Sequence, residues 1–393
     1  MTGRQCASLV CLVLWFSSGL VLAGPPGTWT KISSGTGSST YQAALLRTPD
    51  GKLHVVWPRV VSQKGGYGQT AISPNGAVSG KATTVVSGWG GVHSGPRLLP
   101  DGSGLRLIFS GIKGPAGDPY SSGAMYTATS PTGSKWKLGA GALSQSNYAY
   151  ASAGTGATLQ ADGTPVASWS FGTCFTLFWH AGLDSAIPAS TPDHTYALAN
   201  CCNQFSSLAT DSVSGVIWLA WYSGGSTAAT NGFFARAILP ALGPKKKAPS
   251  STTSGSSILP GQVVALSARK GTDGVYLAYG QGYPTIKRIA LWKVGTSTVR
   301  VVPDSAGASC IALTPGPDGR LWVVWNANGE VHAAETDKDV VGFGPVSSVQ
   351  PPPNTASVFN LSGEGSLGTL DIVADVATMT GDYGFWHTQV AAQ

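Results

Sequence analysis

A phrase that recurs along the whole chain constrains its fold more than any other feature. Each copy has a small or aliphatic strand, a tight turn of the Asp-Gly type, and an aliphatic strand that ends in an aromatic residue. Asp-Gly and Asn-Gly pairs accept the positive φ values of short hairpin turns, so each copy predicts a β-hairpin. A weaker seventh copy has Ala374 in place of the aromatic. The six clear copies end, at intervals of 52, 60, 52, 58 and 46 residues, at Trp57, Phe109, Trp169, Trp221, Tyr279 and Trp325.

Two further β-like runs follow each hairpin, which makes four strands per unit. A four-stranded unit repeated around a ring is a blade of a β-propeller. The chain begins with one strand, 28–33, and ends with three, at 356–361, 369–377 and 383–390. Together these four make a last blade that both termini close, so that no sheet edge stays free. We therefore predict an all-β, seven-bladed propeller, with a six-bladed ring and a loose tail as the alternative. The aromatic row is expected to pack between blades.

The segment 1–23 has the pattern of a secretory signal peptide. Arg4 precedes an apolar run that ends in Val-Leu-Ala before Gly24, which is a positive start, an apolar core and a small-residue cleavage site. We expect a secreted protein, extracellular or periplasmic, and no membrane insertion, because no second long apolar run follows. The remainder, 24–393, is predicted to be a single propeller domain. Within it the segment 240–260, rich in Pro, Ser, Thr, Gly and Lys, is expected to be a disordered insertion.

Composition argues against several functional classes. The net charge is +6, and no stripe of basic and aromatic residues of the kind that binds nucleic acid is present. No cysteine or histidine spacing suits a metal, and no glycine-rich phosphate loop occurs. We expect no nucleic-acid partner, no metal and no cofactor, and we expect a monomer.

Because cysteines of an exported chain can oxidise, we predict a disulfide from Cys174 to Cys201 or Cys202, and a buried thiol at Cys310.

Strand order assigns the long loops to one face of the disc, which we call the loop face. It carries the connections between second and third strands and between successive blades, and the opposite hairpin face carries the Asp-Gly turns. Binding groups concentrate in long loops on rigid scaffolds. Nine of the twelve tyrosines fall on or beside the loop face, and such rings beside amides suit sugars. We predict a glycan ligand, unless these tyrosines only stabilise the loops. The predicted contacts are Trp89, Tyr41, Arg59, Tyr222 and Arg288.

Two sets of loop-face residues are candidates for cleaving a glycan. A glycoside hydrolase needs two carboxylates about 5 to 10 Å apart, here Asp118 with Asp375 or Asp382. A polysaccharide lyase needs a base and a proton donor, here His93 with Tyr148 or Tyr150. The scarcity of loop-face carboxylates favours a lyase, or a non-catalytic binding module, over a retaining hydrolase.

The architecture resembles the sialidase-like, BNR-type propellers, many of which are secreted and act on carbohydrates. The family's Asp-box, Ser-x-Asp-x-Gly-x-Thr-Trp, lies between third and fourth strands; here that connection reads Ser-Pro-Thr-Gly-Ser-Lys-Trp at 130–136, without the Asp. True sialidases have six blades and open the first with Arg-Ile-Pro, whose arginine belongs to a triad that holds the sugar carboxylate. Arg97-Leu98-Leu99-Pro100 is similar, but it abuts the turn at Asp101 and is expected at the wrong end of its strand. The resemblance implies a carbohydrate-directed propeller that is not a sialidase.

Overall fold

The computed structural model describes residues 27–33, 42–61, 64–92, 95–113, 123–139, 155–171, 176–182, 194–196, 203–252, 264–282 and 284–391. Their strands form seven antiparallel sheets, and among these residues the one helical element is a single 3-10 turn, Pro317–Gly319. No helix in this part of the chain is long and apolar enough to cross a bilayer. The predicted seven-bladed β-propeller is confirmed.

The strands follow one another from the axis outward in each blade. The short β1 (Thr30–Lys31) comes first and belongs to the last blade. Blade 1 contains β2 (Ala44–Arg47), β3 (Leu53–Val61), β4 (Lys64–Ile72) and β5 (Val78–Trp89). Blade 2 contains β6 (Gly91–Val92), β7 (Arg97–Asp101), β8 (Gly104–Ile112), β9 (Gly123–Ser130) and β10 (Lys137–Leu138). Blade 3 contains β11 (Gly156–Leu159), β12 (Pro165–Phe171), β13 (Thr176–Ala181) and β14 (His194–Tyr196).

The remaining four blades repeat this arrangement. Blade 4 contains β15 (Asn203–Thr210), β16 (Ile217–Gly224), β17 (Asn231–Leu239) and β18 (Lys246–Lys247). Blade 5 contains β19 (Ala265–Ala268), β20 (Val275–Gln281), β21 (Arg288–Lys293) and β22 (Val299–Val301). Blade 6 contains β23 (Cys310–Pro315), β24 (Leu321–Ala327), β25 (Glu330–Glu335) and β26 (Ser347–Val349). Blade 7 contains β27 (Thr355–Glu364), β28 (Leu370–Thr378) and β29 (Tyr383–Val390), with β1 outermost.

The ring is closed around its axis by one strand from each blade. Each of β2, β7, β11, β15, β19, β23 and β27 contacts the corresponding strands of both neighbouring blades. The hairpin turns that follow these strands use glycine at positive φ, as at Gly51 (+81°) and Gly163 (+85°), where a side chain would be strained.

The two termini close the seventh blade, as the sequence predicted. Strand β1 pairs with β29, Thr30 opposite His387 and Lys31 opposite Trp386. Buried charges join this blade to the first: Arg47 forms ion pairs with Glu364 and Asp371. Because these groups are desolvated, each depends on its partners, and breaking one pair is costly.

The aromatic row lies in the core between blades, which confirms its predicted packing. All six aromatic residues are at most 4% exposed, and Ala374 at the seventh position is fully buried. The apolar clusters that contain them extend across blade boundaries; one, for example, includes both Tyr222 of blade 4 and Tyr279 of blade 5. Burying a side chain of this size contributes about 1.5–3 kcal/mol, so the row stabilises each blade against the next.

The predicted disorder of 240–260 is wrong for residues 240–252, and 253–260 lie outside the described residues. Strand β18 is the fourth strand of blade 4, with Lys247 opposite Phe234. Ala248 is fully buried. The composition misled because an outermost strand tolerates lysines that find local partners: the Lys245 ammonium lies 4.8 Å from the centroid of the Phe234 ring, and Lys247 Nζ donates to Thr252 Oγ1 at 2.6 Å.

Candidate functional site

The strand register brings one residue of each first strand to an equivalent position around the axis. In every blade this residue pairs with the residue that precedes the buried aromatic, or Ala374, of the second strand. Six of the seven are small, and one is large and charged. The seven ring positions are Ala44, Arg97, Gly156, Ser207, Ala265, Ala312 and Ser362.

The first strands enclose a cavity of about 200 Å³, which we call the axial cavity. All ring positions except Gly156 line it, together with Gln42 and several leucines. The Gln42 side chain donates from Nε2 to the Leu361 carbonyl at 2.7 Å, and the Ser362 hydroxyl donates to the Ala43 carbonyl at 2.8 Å. These bonds hold polar side chains at the wall of a cavity that small ring residues leave open.

Arg97 gives the axial cavity its charge. Of the described residues that line the cavity, it alone is ionisable. Its guanidinium donates from Nη1 to the Pro96 carbonyl at 3.3 Å, and the ion pairs found among the described residues involve other groups. Burial lowers the pKa of Arg97 to about 10, because desolvation penalises the charged form. The group is still a cation at neutral pH, and its planar fork of donors matches a carboxylate.

The expected position of Arg97 is wrong. Arg97 is the first residue of β7 and Asp101 is the last, so the arginine lies at the loop-face end of the strand. Four residue steps in an extended strand span about 14 Å. The Asp101 end of β7 therefore abuts the hairpin turn, whereas the Arg97 end reaches the loop face. The sequence signal is an alignment of the seven first strands on the aromatic residues of their partner strands, in which Arg97 is the one large residue at its position.

Eight predicted site residues lie outside the described residues and stay predictions: His93, Tyr148, Tyr150, Asp118, Tyr41, Cys174, Cys201 and Cys202. Within the described part of the chain, no group of three or more His, Cys, Asp or Glu residues could hold a metal ion.

Two predicted ligand contacts lie in the core. Trp89 is the last residue of β5 and is 6% exposed, with its ring centroid 4.7 Å from that of Tyr126 and 5.3 Å from that of Phe109. Tyr222 is fully buried, 5.3 Å from Phe233. The expectation that Trp89 is a loop residue is wrong, because β5 extends to Trp89 and β6 begins at Gly91, within the glycine-rich segment that suggested a loop.

The two predicted arginines lie away from the axial cavity. Arg59 donates from Nη2 to Thr84 Oγ1 at 2.6 Å within blade 1. Arg288 is exposed at the start of β21, where its Nε donates to Gln281 Oε1 at 2.7 Å. Neither lines the axial cavity, so any ligand contact that they make is at its rim or beyond.

The two predicted carboxylates of blade 7 have different environments. Asp375 is 1% exposed within β28, and Asp382 lies in the exposed turn before β29. Cys310 is a buried free thiol, as predicted; burial raises its pKa to about 12, and the negative charge of Asp375 adds to the rise. The structure therefore does not present Asp375 and Asp382 as a pair to one solvent-filled site.

Comparison with known proteins gives the fold. No family model and no curated protein matches the sequence. A virginiamycin B lyase from Staphylococcus aureus superposes with a TM-score of 0.51 at 11% identity, covering 92% of this chain and 100% of that one. The polysaccharide lyase Uly1 superposes with a TM-score of 0.51 at 10% identity, covering 97% of this chain and 94% of the lyase. A Hadza microbial sialidase superposes with a TM-score of 0.50 at 11% identity, covering 89% of this chain and 65% of the sialidase. The chain shares their fold.

Proposed function

We propose that this propeller binds an acidic glycan, with a sugar carboxylate held by Arg97 in the axial cavity. The observation that carries the proposal is a cation of lowered pKa set in a ring whose other six members are small and uncharged. A desolvated charge is costly unless a partner compensates it. A ligand carboxylate is such a partner, and hydrogen bonds to charged groups contribute about 1.5–3 kcal/mol each.

The neutral groups of the axial cavity suit the rest of a sugar. The amide of Gln42 and the hydroxyl of Ser207 line it beside Arg97, and such groups orient sugar hydroxyls. The leucines of the same wall, Leu98 and Leu208 among them, offer an apolar surface to the carbon face of the ring. Most of the accessible wall is polar, which suits a ligand that carries a charge and several hydroxyls.

The names of two structurally similar proteins support a glycan ligand. One is a polysaccharide lyase and one is a sialidase. One fold hosts many activities, so this support is secondary to the arginine.

For cleavage, the lyase route is proposed over the hydrolase route. His93 acts as the base and Tyr148 or Tyr150 as the proton donor, and Arg97 neutralises the uronate carboxylate whose neighbouring proton is removed. The hydrolase route relies on Asp118 with Asp375 or Asp382, and the burial of Asp375 argues against its use. Trp89 has no place in the proposed site because its ring packs in the core.

Export belongs to the same proposal. Removal of 1–23 releases a secreted monomer in which Cys174 is joined to Cys201 or Cys202. Peptide mass mapping without reduction is expected to find that link with Cys310 unmodified. Finding Cys174 as a free thiol contradicts the pairing.

The test is a screen of the purified protein against acidic polysaccharides and their carboxyl-reduced forms. Binding, new reducing ends and the absorbance of unsaturated uronates are read together. We expect the acidic forms to bind more tightly than the carboxyl-reduced forms; product with absorbance then identifies a lyase, and binding without product identifies a non-catalytic module. Arg97→Gln is expected to remove the preference for the acidic forms, whereas Lys52→Gln, which removes one exposed charge on the hairpin face, leaves it unchanged. Failure to bind any acidic glycan contradicts the proposal.

A further inference from the structure

A second and larger cavity, of about 430 Å³, lies on the loop face between blades 6 and 7. We call it the blade 6–7 cavity. The beginnings of β23 and β27 and the end of β24 form its walls, and Pro351 covers one side. Its volume lies in the range of about 300–1,000 Å³ that is typical of small-molecule sites. None of the glycan contacts predicted from the sequence lines it.

The wall of the blade 6–7 cavity is mostly apolar and has one polar edge. Phe359 and Val358 line it, and the Phe359 ring is stacked on Tyr383 with the centroids 5.9 Å apart. The polar edge is formed by Ser309 and Asn326, with Asn326 Nδ2 donating to Ser309 Oγ at 2.9 Å. Asn326 Oδ1 is buried and accepts no hydrogen bond from the described residues. Because that oxygen has almost no accessible surface, a ligand contacts this edge through Asn326 Nδ2, whose second N–H can donate to a hydroxyl oxygen.

The charges around this cavity exclude an anionic ligand. No charged side chain is among the described residues that line it. The negative charge of Asp375 adds to the raised pKa of Cys310 after burial, which is the larger cause. The thiol itself donates to the carbonyls of Val358 and Phe359, at 3.4 and 3.2 Å, and packs without reacting. The ligand that fits is neutral, with an apolar face and hydroxyl edges.

We propose that the blade 6–7 cavity binds a neutral pyranose unit, whose carbon face packs on Phe359 and Val358 while a ring hydroxyl accepts from Asn326 Nδ2 at the polar edge. The site goes beyond the acidic-glycan function, because its residues are not shared with Arg97 and its ligand carries no charge. Apolar packing of the ring places hydroxyls at its edge, where Ser309 and Asn326 lie, and this is the arrangement that a flat sugar ring needs.

Saturation-transfer NMR with the methyl glycosides of glucose, galactose, mannose and xylose tests the proposal on the purified full-length mature protein. At least one glycoside is expected to bind, with the strongest saturation on its ring carbon protons. Ala356→Trp fills the mouth of the cavity from an exposed position and is expected to weaken binding about tenfold or more. Asn326→Ala is expected to weaken binding by a similar factor, since it removes the amide donor at the polar edge.

The matched control is Val341→Trp, which adds the same bulk at a position 61% exposed on the hairpin face of blade 6, the other blade that borders the cavity. We expect it to bind as the wild type does, and its melting temperature shows that added bulk alone leaves the fold intact. Arg97→Gln is expected to keep neutral binding while losing acidic binding, so the two sites fail separately. Absence of binding to every glycoside, or wild-type binding by Ala356→Trp, overturns the proposal.

Discussion

The axial cavity and the blade 6–7 cavity share two strands and differ in charge. Ala312 and Ser362 line the first, and Cys310 and Phe359 line the second. Cys310 and Ala312 are two residues apart on β23, about 7 Å in an extended strand. One cavity holds a desolvated cation, and the other lies beside a buried carboxylate. On the two proposals above, the same scaffold holds two neighbouring sites that differ in the charge of the sugar they bind.

The largest effect is expected from Trp89, which belongs to the core and lines neither of the two cavities. Trp89→Ala is expected to lower the free energy of unfolding by about 3–5 kcal/mol, as large-to-small substitutions of buried aromatics do. Denaturant unfolding measures the change, with Trp89→Phe as a milder control. An unchanged stability together with weakened glycan binding would return Trp89 to the loop-face site that its sequence context first suggested.

Arg97 is expected to have the next largest effect, on acidic binding alone. Arg97→Gln removes the charge and is expected to cost about 2–4 kcal/mol of binding to an acidic glycan, since losing one partner of a buried charge pair is expensive. Arg97→Lys keeps the charge but lacks the planar fork of donors. Its affinity for an acidic glycan is expected to lie between those of the wild type and Arg97→Gln. Calorimetric titration measures both. Equal loss of neutral binding in either variant breaks the distinction between the two cavities.

Without ligand, the same arginine is expected to destabilise the protein. The pKa of Arg97 falls from 12.5 to about 10 on folding, so the charged form is disfavoured in the folded state at every pH below about 10. Arg97→Met is expected to raise the free energy of unfolding by about 1–3 kcal/mol. The gain is present at neutral pH and shrinks as the pH rises above about 10, where the folded wild type releases the proton. A loss of stability in Arg97→Met contradicts the desolvated cation.

The smallest effect concerns Cys310, where nothing is expected to happen. Its pKa of about 12 leaves almost no thiolate at pH 8, and the thiolate is the reactive form. Iodoacetamide at pH 8 is expected to leave Cys310 unmodified until denaturant unfolds the protein, as mass spectrometry shows. Rapid alkylation of the native protein would mean that the wall of the blade 6–7 cavity is open to water at the thiol.

The architecture was predictable because the same weak hairpin signal occurs seven times along the chain. The turn and aromatic of each copy, from Trp57 to Trp325, marked the blades, and the unpaired strands at both ends completed the ring. The disorder predicted from composition is wrong at 246–247, because the pairing of β18 with β17 outweighs the preference of a lysine-rich sequence for disorder. Propensities describe segments in isolation, whereas the conformation of an edge strand depends on the strand with which it pairs.

The candidate site was less predictable for a related reason. The sequence places Trp89 and Tyr222 near loops, yet strand length decides whether an aromatic ring faces water or the next blade. The turn at Asp101 points to the hairpin face for the whole Arg-Leu-Leu-Pro motif, although Arg97 lies at the other end of the strand. Its neighbours around the axis come from six other blades, and only the register of all seven first strands brings them together.

The most direct test of the account is a calorimetric titration of the wild-type protein with an oligouronate and with its methyl ester of the same length. The two ligands differ in charge and scarcely in shape, so the difference isolates the contribution of Arg97. The account predicts that the free acid binds at least about tenfold more tightly, or about 1.4 kcal/mol, and that Arg97→Gln removes the difference. Equal affinity of the wild type for the two forms, or binding of neither, would contradict it.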